Sequence, residues 1–453
     1  VKRIGVLSLG CSKNLVDTEV MLGHLDAAGC SFTTDPSEAD VLVVNTCGFI
    51  EAAREESIRT ILEAAEYKKT GSLSRLVVAG CMVQRYGDEL RKELPEVDAF
   101  VDLDGLEGIV AAAGIAPLPR SAPSPGLLQI GPKPAKFLYG SETPRRLATP
   151  KWTAFVKIAE GCDHTCSFCA IPKFRGVFRS RPPDDVVAEA EALARRGVRE
   201  VNLIAQDSSH YGRDRGDAHG LAGLLARLDA VEALRWIRVH YLYPNTVTDR
   251  LIAAMAQAER VVKYVDMPLQ HAHAQTLSRM RRGGSAESHL RLLERFRTAM
   301  PDAALRTTLI VGFPGESDAE FETLLDFIRE ARFDHLGVFT YSHEDSTAAR
   351  ELADDVPADV KAERRDALME LQQSIVLERH RDRLGDVVEA VVEGPHEETD
   401  LLLKARMSTQ APDVDGQILI NDGVAAPGSF VRVELTEVAG YDLVGRIVDA
   451  GAA

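Results

Sequence analysis

"AEGCDHTCSFCAIPKF", residues 159–174, holds three of the chain's seven cysteines: Cys162, Cys166 and Cys169. Three residues separate the first two and two residues separate the next pair. A structural zinc site takes four ligands, and so does a fully ligated iron–sulfur cluster. This stretch supplies one too few. Soft thiolates clustered so tightly select zinc or iron–sulfur. His164 completes a zinc site only if a short loop lets it turn inward. The alternative is a 4Fe–4S cluster with one iron left open, and an open position is what separates a catalytic metal site from a structural one.

The residues just before the trio, "TAFVKIA" (153–159), read as a buried strand, so the cysteines follow a strand's carboxyl end. Further strand-like runs are "EVNLIA" (200–205), "WIRVHYL" (236–242), "VKYVDM" (262–267), "LRTTLIVG" (305–312) and "HLGVFTY" (335–341). Helical stretches such as 183–197 and 318–331 separate them. Six such units over 151–375 predict an incomplete β/α barrel, whose carboxyl face carries the chemistry.

Residues 1–114 alternate in the same way. Strands are expected at 3–10, 41–47 and 75–81, with helices at 14–29 and 54–71. The first helix puts Leu15, Thr18, Leu22 and Leu25 on one face. The order implies parallel βαβ units. Cys11, Cys47 and Cys81 each close one of these strands. That edge of an open sheet is where ligands bind, so three residues far apart in sequence are expected to converge. The plainer reading is three buried thiols. Cys30, after a helix end, reads as a core thiol.

Residues 115–150 carry eight of the 21 prolines and read as a linker. Residues 376–453 turn to short alternating strands with glycine turns, which predicts a small antiparallel β-barrel.

Composition narrows the function. Apolar residues make up 45% of the 453 and charged residues 27%, as in a soluble globular protein. No apolar run approaches the ~20 residues of a membrane span, and no signal peptide is evident, so a cytoplasmic location is expected. An odd cysteine count in such a chain argues for metal or redox chemistry over a disulfide framework. The net charge of −16 disfavours nucleic acid as a partner. From residue 386 on there are thirteen acids and four bases, a balance of −9. Such a barrel repels tRNA and attracts a basic protein, unless the charge serves solubility alone.

Cys162-Asp-His-Thr-Cys166-Ser-Phe-Cys169 resembles the cysteine motif of radical S-adenosylmethionine (SAM) enzymes. With "SLGCSKNLVDTE", "NTCGFI", "AGCMVQRY" and "PLQHAHAQTLSRMRR" the whole chain is similar to the radical SAM methylthiotransferases. "GCSKNLVDTE" and "EGCDHTCSFCAIP" resemble most the branch that methylthiolates the β-carbon of one aspartate in ribosomal protein uS12, and Asp163 sets them apart from the tRNA-modifying relatives. The resemblance implies a flavodoxin-like α/β domain (1–114), a partial (β/α)6 radical SAM core (151–375) and a TRAM barrel (376–453). It implies two 4Fe–4S clusters, one on Cys11, Cys47 and Cys81 and one on Cys162, Cys166 and Cys169. SAM then serves as methyl donor and as source of a 5′-deoxyadenosyl radical. An unactivated β-carbon hydrogen is not acidic, which is why a radical is needed. The basic protein uS12 is the implied partner, docked on the acidic barrel, with a reductant such as flavodoxin and no tRNA.

The resemblance also implies SAM contacts. Phe168 falls near the adenine; its plainer reading is a core aromatic. Gln206 and Asp207 face the methionine part; the plainer reading of Asp207 is a helix cap. Gly312 and Gly315 of "VGFPGE" form a SAM-side loop, or a simple turn. His271 and His273 are expected to be structural. Arg279, Arg281 and Arg282 read as a solvated face, or as a clamp for a substrate carboxylate. The competing functions are a tRNA methylthiotransferase, a non-catalytic iron–sulfur carrier or sensor, and a zinc protein.

Overall fold

The computed structural model of the chain describes residues 1–115 and 134–449. Its first five strands are β1 (Arg3–Ser8), β2 (Ser31–Phe32), β3 (Val41–Thr46), β4 (Arg75–Gly80) and β5 (Ala99–Val101). They form one parallel sheet in the order β2-β1-β3-β4-β5, the flavodoxin-like arrangement, with its switch point between β1 and β3. The central strands are unbroken apolar runs because helices cover both faces. Helix α1 (Ser12–Ala27) covers one face, α2 (Glu51–Thr70) and α3 (Cys81–Glu93) cover the other, and the short α4 (Ile109–Ala112) packs beside α1.

Helix α1 departs from the amphipathic pattern expected of it. Besides Val16, Val20, Met21 and Leu25 it buries Asp17, Thr18 and Glu19. Its second face is covered by the next domain, against β6 (Thr153–Lys157). The stretch 116–133, the proline-rich part of the expected linker, lies outside the described residues. Residues 134–150 form a strap. Tyr139 is buried, and Arg145 pairs at 2.5 Å with Glu19 of α1 and at 2.5 Å with Glu189.

After β6 come a small antiparallel ladder of β7 (Ala159–Glu160) with β8 (Arg179–Ser180), then β9 (Glu200–Ile204), β10 (Trp236–Val239), β11 (Tyr264–Asp266), β12 (Ala304–Val311) and β13 (His335–Thr340). All six expected barrel strands are present. They form two parallel triplets, β6-β9-β10 and β11-β12-β13, joined by a bridge between Ile237 and Val261. The helices of this region are α5 (Ile171–Arg175), α6 (Pro183–Arg195), α7 (Gly220–Asp229), α8 (Asp249–Gln257), α9 (Ala274–Arg279), α10 (Ala286–Ala299) and α11 (Asp318–Ala331). Reciprocal capping boxes at Ser285 and Ser317 fix where α10 and α11 start.

Helix α12 (Ala358–Asp382) runs through the boundary expected at 375/376 and leads into β14 (Val387–His396), β15 (Thr399–Met407), β16 (Ile418–Asp422), β17 (Phe430–Ala439) and β18 (Asp442–Asp449). These close into a barrel in the order β14-β15-β16-β18-β17. The expected all-antiparallel pairing needs correction, because β16 and β18 are parallel. Five strands closed in a ring cannot all alternate in direction, so one parallel pair is unavoidable.

The barrel is bolted to the core by buried charge. Glu200, at the start of β9, receives Arg406 from β15 at 2.6 Å and Arg238 from β10 at 3.2 Å. Burial pushes the Glu200 carboxyl up, but the two guanidiniums outweigh it and hold the group at about 2. Its contribution to stability is therefore complete above the unfolded carboxyl's value of roughly 4.5 and is lost as pH falls toward about 2. Glu200→Gln is expected to cost about 3 kcal/mol at neutral pH, since it strands two buried guanidiniums. The gap from the parent protein should close as pH falls from about 4.5 toward 2 in urea titrations.

Candidate functional site

The chain builds its first trio at the carboxyl edge of the N-terminal sheet. Cys11 is the N-cap of α1, with φ −95° and ψ 170°. Cys47 follows β3 and Cys81 opens α3. Gly10 (φ +87°) makes the turn possible: a Cβ there would stand 2.8 Å from the Cβ of Cys47 and 3.2 Å from its sulfur. The Cys11 thiol is held below its ordinary value. Surrounding protein pushes it up, and Lys13, Arg175 and the N–H groups at the helix start pull it down further. Burial pushes Cys81 up to about 12 despite Arg175, with charge on Cys11 and Cys47 adding to the rise. The three thiols thus share one electrostatic neighbourhood at this edge of the sheet, with Arg175 acting on each.

The second trio lies in the loop between β7 and α5, at the carboxyl face of the barrel. Burial pushes Cys162 and Cys169 up to about 12, and the neighbouring sulfurs add to this. Thiols so placed become thiolates together only around a cation, which fits a metal cluster. Among the described residues no three of His, Cys, Asp and Glu close in on a single ion. A four-iron cluster holds each of three thiolates on a separate iron and leaves the fourth iron open. His164 is occupied elsewhere. Its Nε2 lies 2.7 Å from Asp207, and its ring stacks at 3.8 Å on Tyr243.

One wall serves both trios. Cys81 packs in a single cluster with Ala170, next to Cys169, and with Phe174 of α5. Arg175, at the end of α5, donates to the Cys81 sulfur at 3.0 Å. The same guanidinium pairs with Asp17 of α1 at 3.0 Å and with Glu160 at 2.9 Å. Lys157 completes the group, 2.5 Å from Asp17 and 2.8 Å from Glu160. Gln206 donates from Nε2 to Glu160 at 2.8 Å, and its Oε1 is buried without a hydrogen-bond partner. A ligand's amino group would satisfy that atom.

The remaining expected SAM contacts are mixed. Phe168 is half-buried and packs with Met280, Phe313 and Tyr341. Asp207 pairs with His164 and accepts the His210 N–H as the cap of a short 3-10 turn. Gly312 and Gly315 have left-handed φ values of +71° and +75°. The Gly312 and Phe313 amides donate to Glu316 and the Gly315 amide donates to Asp355, so these amides of the "VGFPGE" loop already have partners. Phe313 of the loop belongs to the apolar cluster against which Phe168 packs. His271 is buried, and its Nε2 has no hydrogen-bond partner among the described residues. Burial pushes it down to about 3, and its Nδ1 accepts the His273 N–H.

Sequence reasoning missed Arg282. Read as a solvated face, it is in fact buried: it donates to the Pro268 carbonyl at 2.8 Å, lies 3.6 Å from the Cys166 sulfur and covers the Tyr243 ring. Arg279 is also engaged, with Glu320 at 2.9 Å. Asp17, Lys157, Glu160 and Arg175 were missed too, although they stand within a few residues of the cysteine motifs. Charged residues at the start of an apolar helix or end of a strand give no signal that they will be buried.

Three family models match: Uncharacterized protein family UPF0004 over residues 3–102, the Radical SAM superfamily over 156–328 and the TRAM domain over 384–448. Ribosomal protein uS12 methylthiotransferase RimO of Anaeromyxobacter sp. (strain K) is 50% identical over 446 residues, covering 98% of this chain and 93% of that protein. The RimO of Geobacter sulfurreducens is 46% identical, covering 99% of each. Among solved structures, radical S-adenosylmethionine methyltransferase TsrM from Kitasatospora setae aligns with a TM-score of 0.55 at 15% identity, over 75% of this chain and 73% of that one, a likeness of fold.

Asp163 accepts the Phe178 N–H at 2.9 Å, which closes the loop around Cys162. An asparagine oxygen would do the same. Asp163→Asn is expected to keep the unfolding free energy within about 0.5 kcal/mol and the iron content unchanged, while Asp163→Ala costs about 1 kcal/mol. Denaturant titration and iron assay check both.

Proposed function

This chain belongs to the RimO family of ribosomal protein uS12 methylthiotransferases, and on that premise we propose that its two trios divide the labour of one reaction. It is a radical SAM enzyme that methylthiolates the β-carbon of an aspartate in uS12, with two 4Fe–4S clusters and SAM as its cofactors. Cys11, Cys47 and Cys81 would hold one cluster and Cys162, Cys166 and Cys169 the other. When bound, these groups and SAM supply a methylthio donor and a radical able to take an unactivated hydrogen.

The chain's own residues do the rest. Arg175, Lys157, Asp17 and Glu160 fix the carboxyl edge of the N-terminal sheet against that of the barrel. His164, Tyr243 and Arg282 wall the Cys166 side of the second trio and keep water from it. Gln206 offers a buried acceptor to the amino group of SAM, and Phe168 offers an apolar surface beside Cys169. The observation that carries the reading is the shared wall, in which Arg175, six residues after Cys169, touches the sulfur of Cys81. A methylthio group held at one trio is then close to a substrate activated at the other.

The C-terminal barrel suits the docking of uS12. Glu389 and Asp415 pair with Arg235 and Arg306 of the core, and Glu393 pairs with Arg406 within the barrel. Glu397, Glu398, Asp400, Asp413 and Asp422 are exposed. A one-electron donor such as flavodoxin would supply electrons. No helix among the described residues is long and apolar enough to cross a membrane, and the enzyme would work in the cytoplasm, where ribosomes are built.

Anaerobic reconstitution should load about eight irons per chain, four to each cluster, and give 5′-deoxyadenosine with a methylthio mass gain on one uS12 aspartate. A total near four contradicts the two-cluster reading. Cys11→Ala should retain about four irons and SAM cleavage but form no methylthiolated product; loss of both activities contradicts the division of labour. Reversing Glu397, Glu398 and Asp400 to lysine together should weaken uS12 binding about tenfold at low salt, and the difference should shrink as salt rises. Titration calorimetry reads this directly.

A further inference from the structure

Among the described residues, the buried and half-buried cations beside the two trios are accounted for, with one exception. Lys157 has Asp17 and Glu160. Arg175 has the same two carboxylates. Arg279 has Glu320, and Arg282 has the Pro268 carbonyl. Lys13 is only 9% exposed, and the Tyr241 ring lies 3.5 Å below its ammonium. Among the described residues no carboxylate pairs with it, and residues 116–133 contain no Asp or Glu.

Lys13 is also misplaced by local rules. It stands in the first turn of α1, at the positive end of the helix dipole, where a cation is disfavoured. Burying an ammonium without an anion is costly. Its aromatic partner is strained, since Tyr241 holds φ +61° just past the end of β10. That backbone is pinned on both sides: its N–H donates to Asp266 at 3.3 Å, and its carbonyl accepts the Ser208 N–H at 2.9 Å. Ser208 adjoins Gln206 and Asp207, which belong to the second trio's surroundings. Three locally unfavourable choices at one point mark a functional site. Its charge favours the Cys11 thiolate, a task that Arg175 and the α1 amides share.

Lys13 therefore lies between Cys11 and the loop that flanks the second trio, as a buried positive charge with no carboxylate beside it. The missing partner is a carboxylate. We propose that Lys13 binds the side-chain carboxylate of the target aspartate, through an ion pair placed between the two trios. The inference rests on the family reading given above. The carboxyl carbon is bonded directly to the β-carbon, so holding the carboxylate fixes the reacting atom one bond away. The same pair explains why an aspartate is chosen: an asparagine fits the space but leaves the ammonium unpaired. SAM carries a carboxylate as well, but Lys13 extends from the helix that Cys11 caps, on the first trio's side.

The test measures anaerobic binding of uS12, and of uS12 with its target aspartate changed to asparagine, to the reconstituted holoenzyme. The parent enzyme should prefer the aspartate protein about tenfold or more. Lys13→Gln should reduce the preference to within about twofold, and Lys13→Arg should restore most of it. SAM affinity and iron content should match the parent's in both variants. Equal binding of the two uS12 forms by the parent enzyme overturns the proposal without any variant. So does a preference that survives Lys13→Gln. A fall in SAM affinity would assign the cosubstrate's carboxylate to Lys13 instead, and a loss of iron would assign the charge to the cluster; either overturns it. If uS12 in neither form binds the parent enzyme, the family reading of the substrate fails instead.

Discussion

Asp17, Lys157, Glu160 and Arg175 form a buried set of two anions and two cations, none with a side chain more than 5% exposed. No member can be buried alone: a single carboxylate or guanidinium at that depth would cost several kcal/mol. As a set they are neutral and mutually hydrogen-bonded. Their places in sequence matter as much as their charge. Asp17 follows Cys11 by six residues, Glu160 precedes Cys162 by two, and Arg175 follows Cys169 by six. Satisfying the four charges therefore brings the two cysteine motifs edge to edge. Helix α1, caught between two domains, must then be buried on both faces.

The parts of the fold that were legible in the sequence are those with a long apolar period. The sequence runs that contain β1, β3, β4 and the six barrel strands each hold four or more apolar residues between clear breaks. β2 and β5, of two and three residues, are too short to show a period and were invisible. The C-terminal strands could be read, but not the direction of each pairing; the parallel β16–β18 contact follows from ring closure, which is a property of the whole barrel. The strap of residues 134–150 was hidden by its prolines. Tyr139 and Arg145 gain their partners only when two domains are already in place.

The candidate site divides along the same line. Cysteine spacing announces a metal cluster because the chemistry of thiolates leaves few other uses for it. Glycine-rich loops announce nothing so definite. Gly312 and Gly315 were equally readable as a ligand loop or a turn, and Glu316 and Asp355 take up their amides as in a turn. Arg282 illustrates the opposite error. A charged residue in a polar stretch looks solvated until distant loops of the same barrel, here at Pro268 and Tyr243, cover it.

Glu200 bolts the C-terminal barrel to the foot of the core, at the first residue of β9, whereas Gln206 stands two residues past the last. Six residues of strand separate the two levels, or about 20 Å. A protein gripped by the barrel must therefore reach past the height of the core to present one side chain at its mouth. Free aspartate, or a short peptide around it, has no such reach and forgoes whatever the barrel contributes. On the docking proposed above, the architecture acts as a ruler: it rewards a substrate whose modified residue stands out from a folded body by about that length.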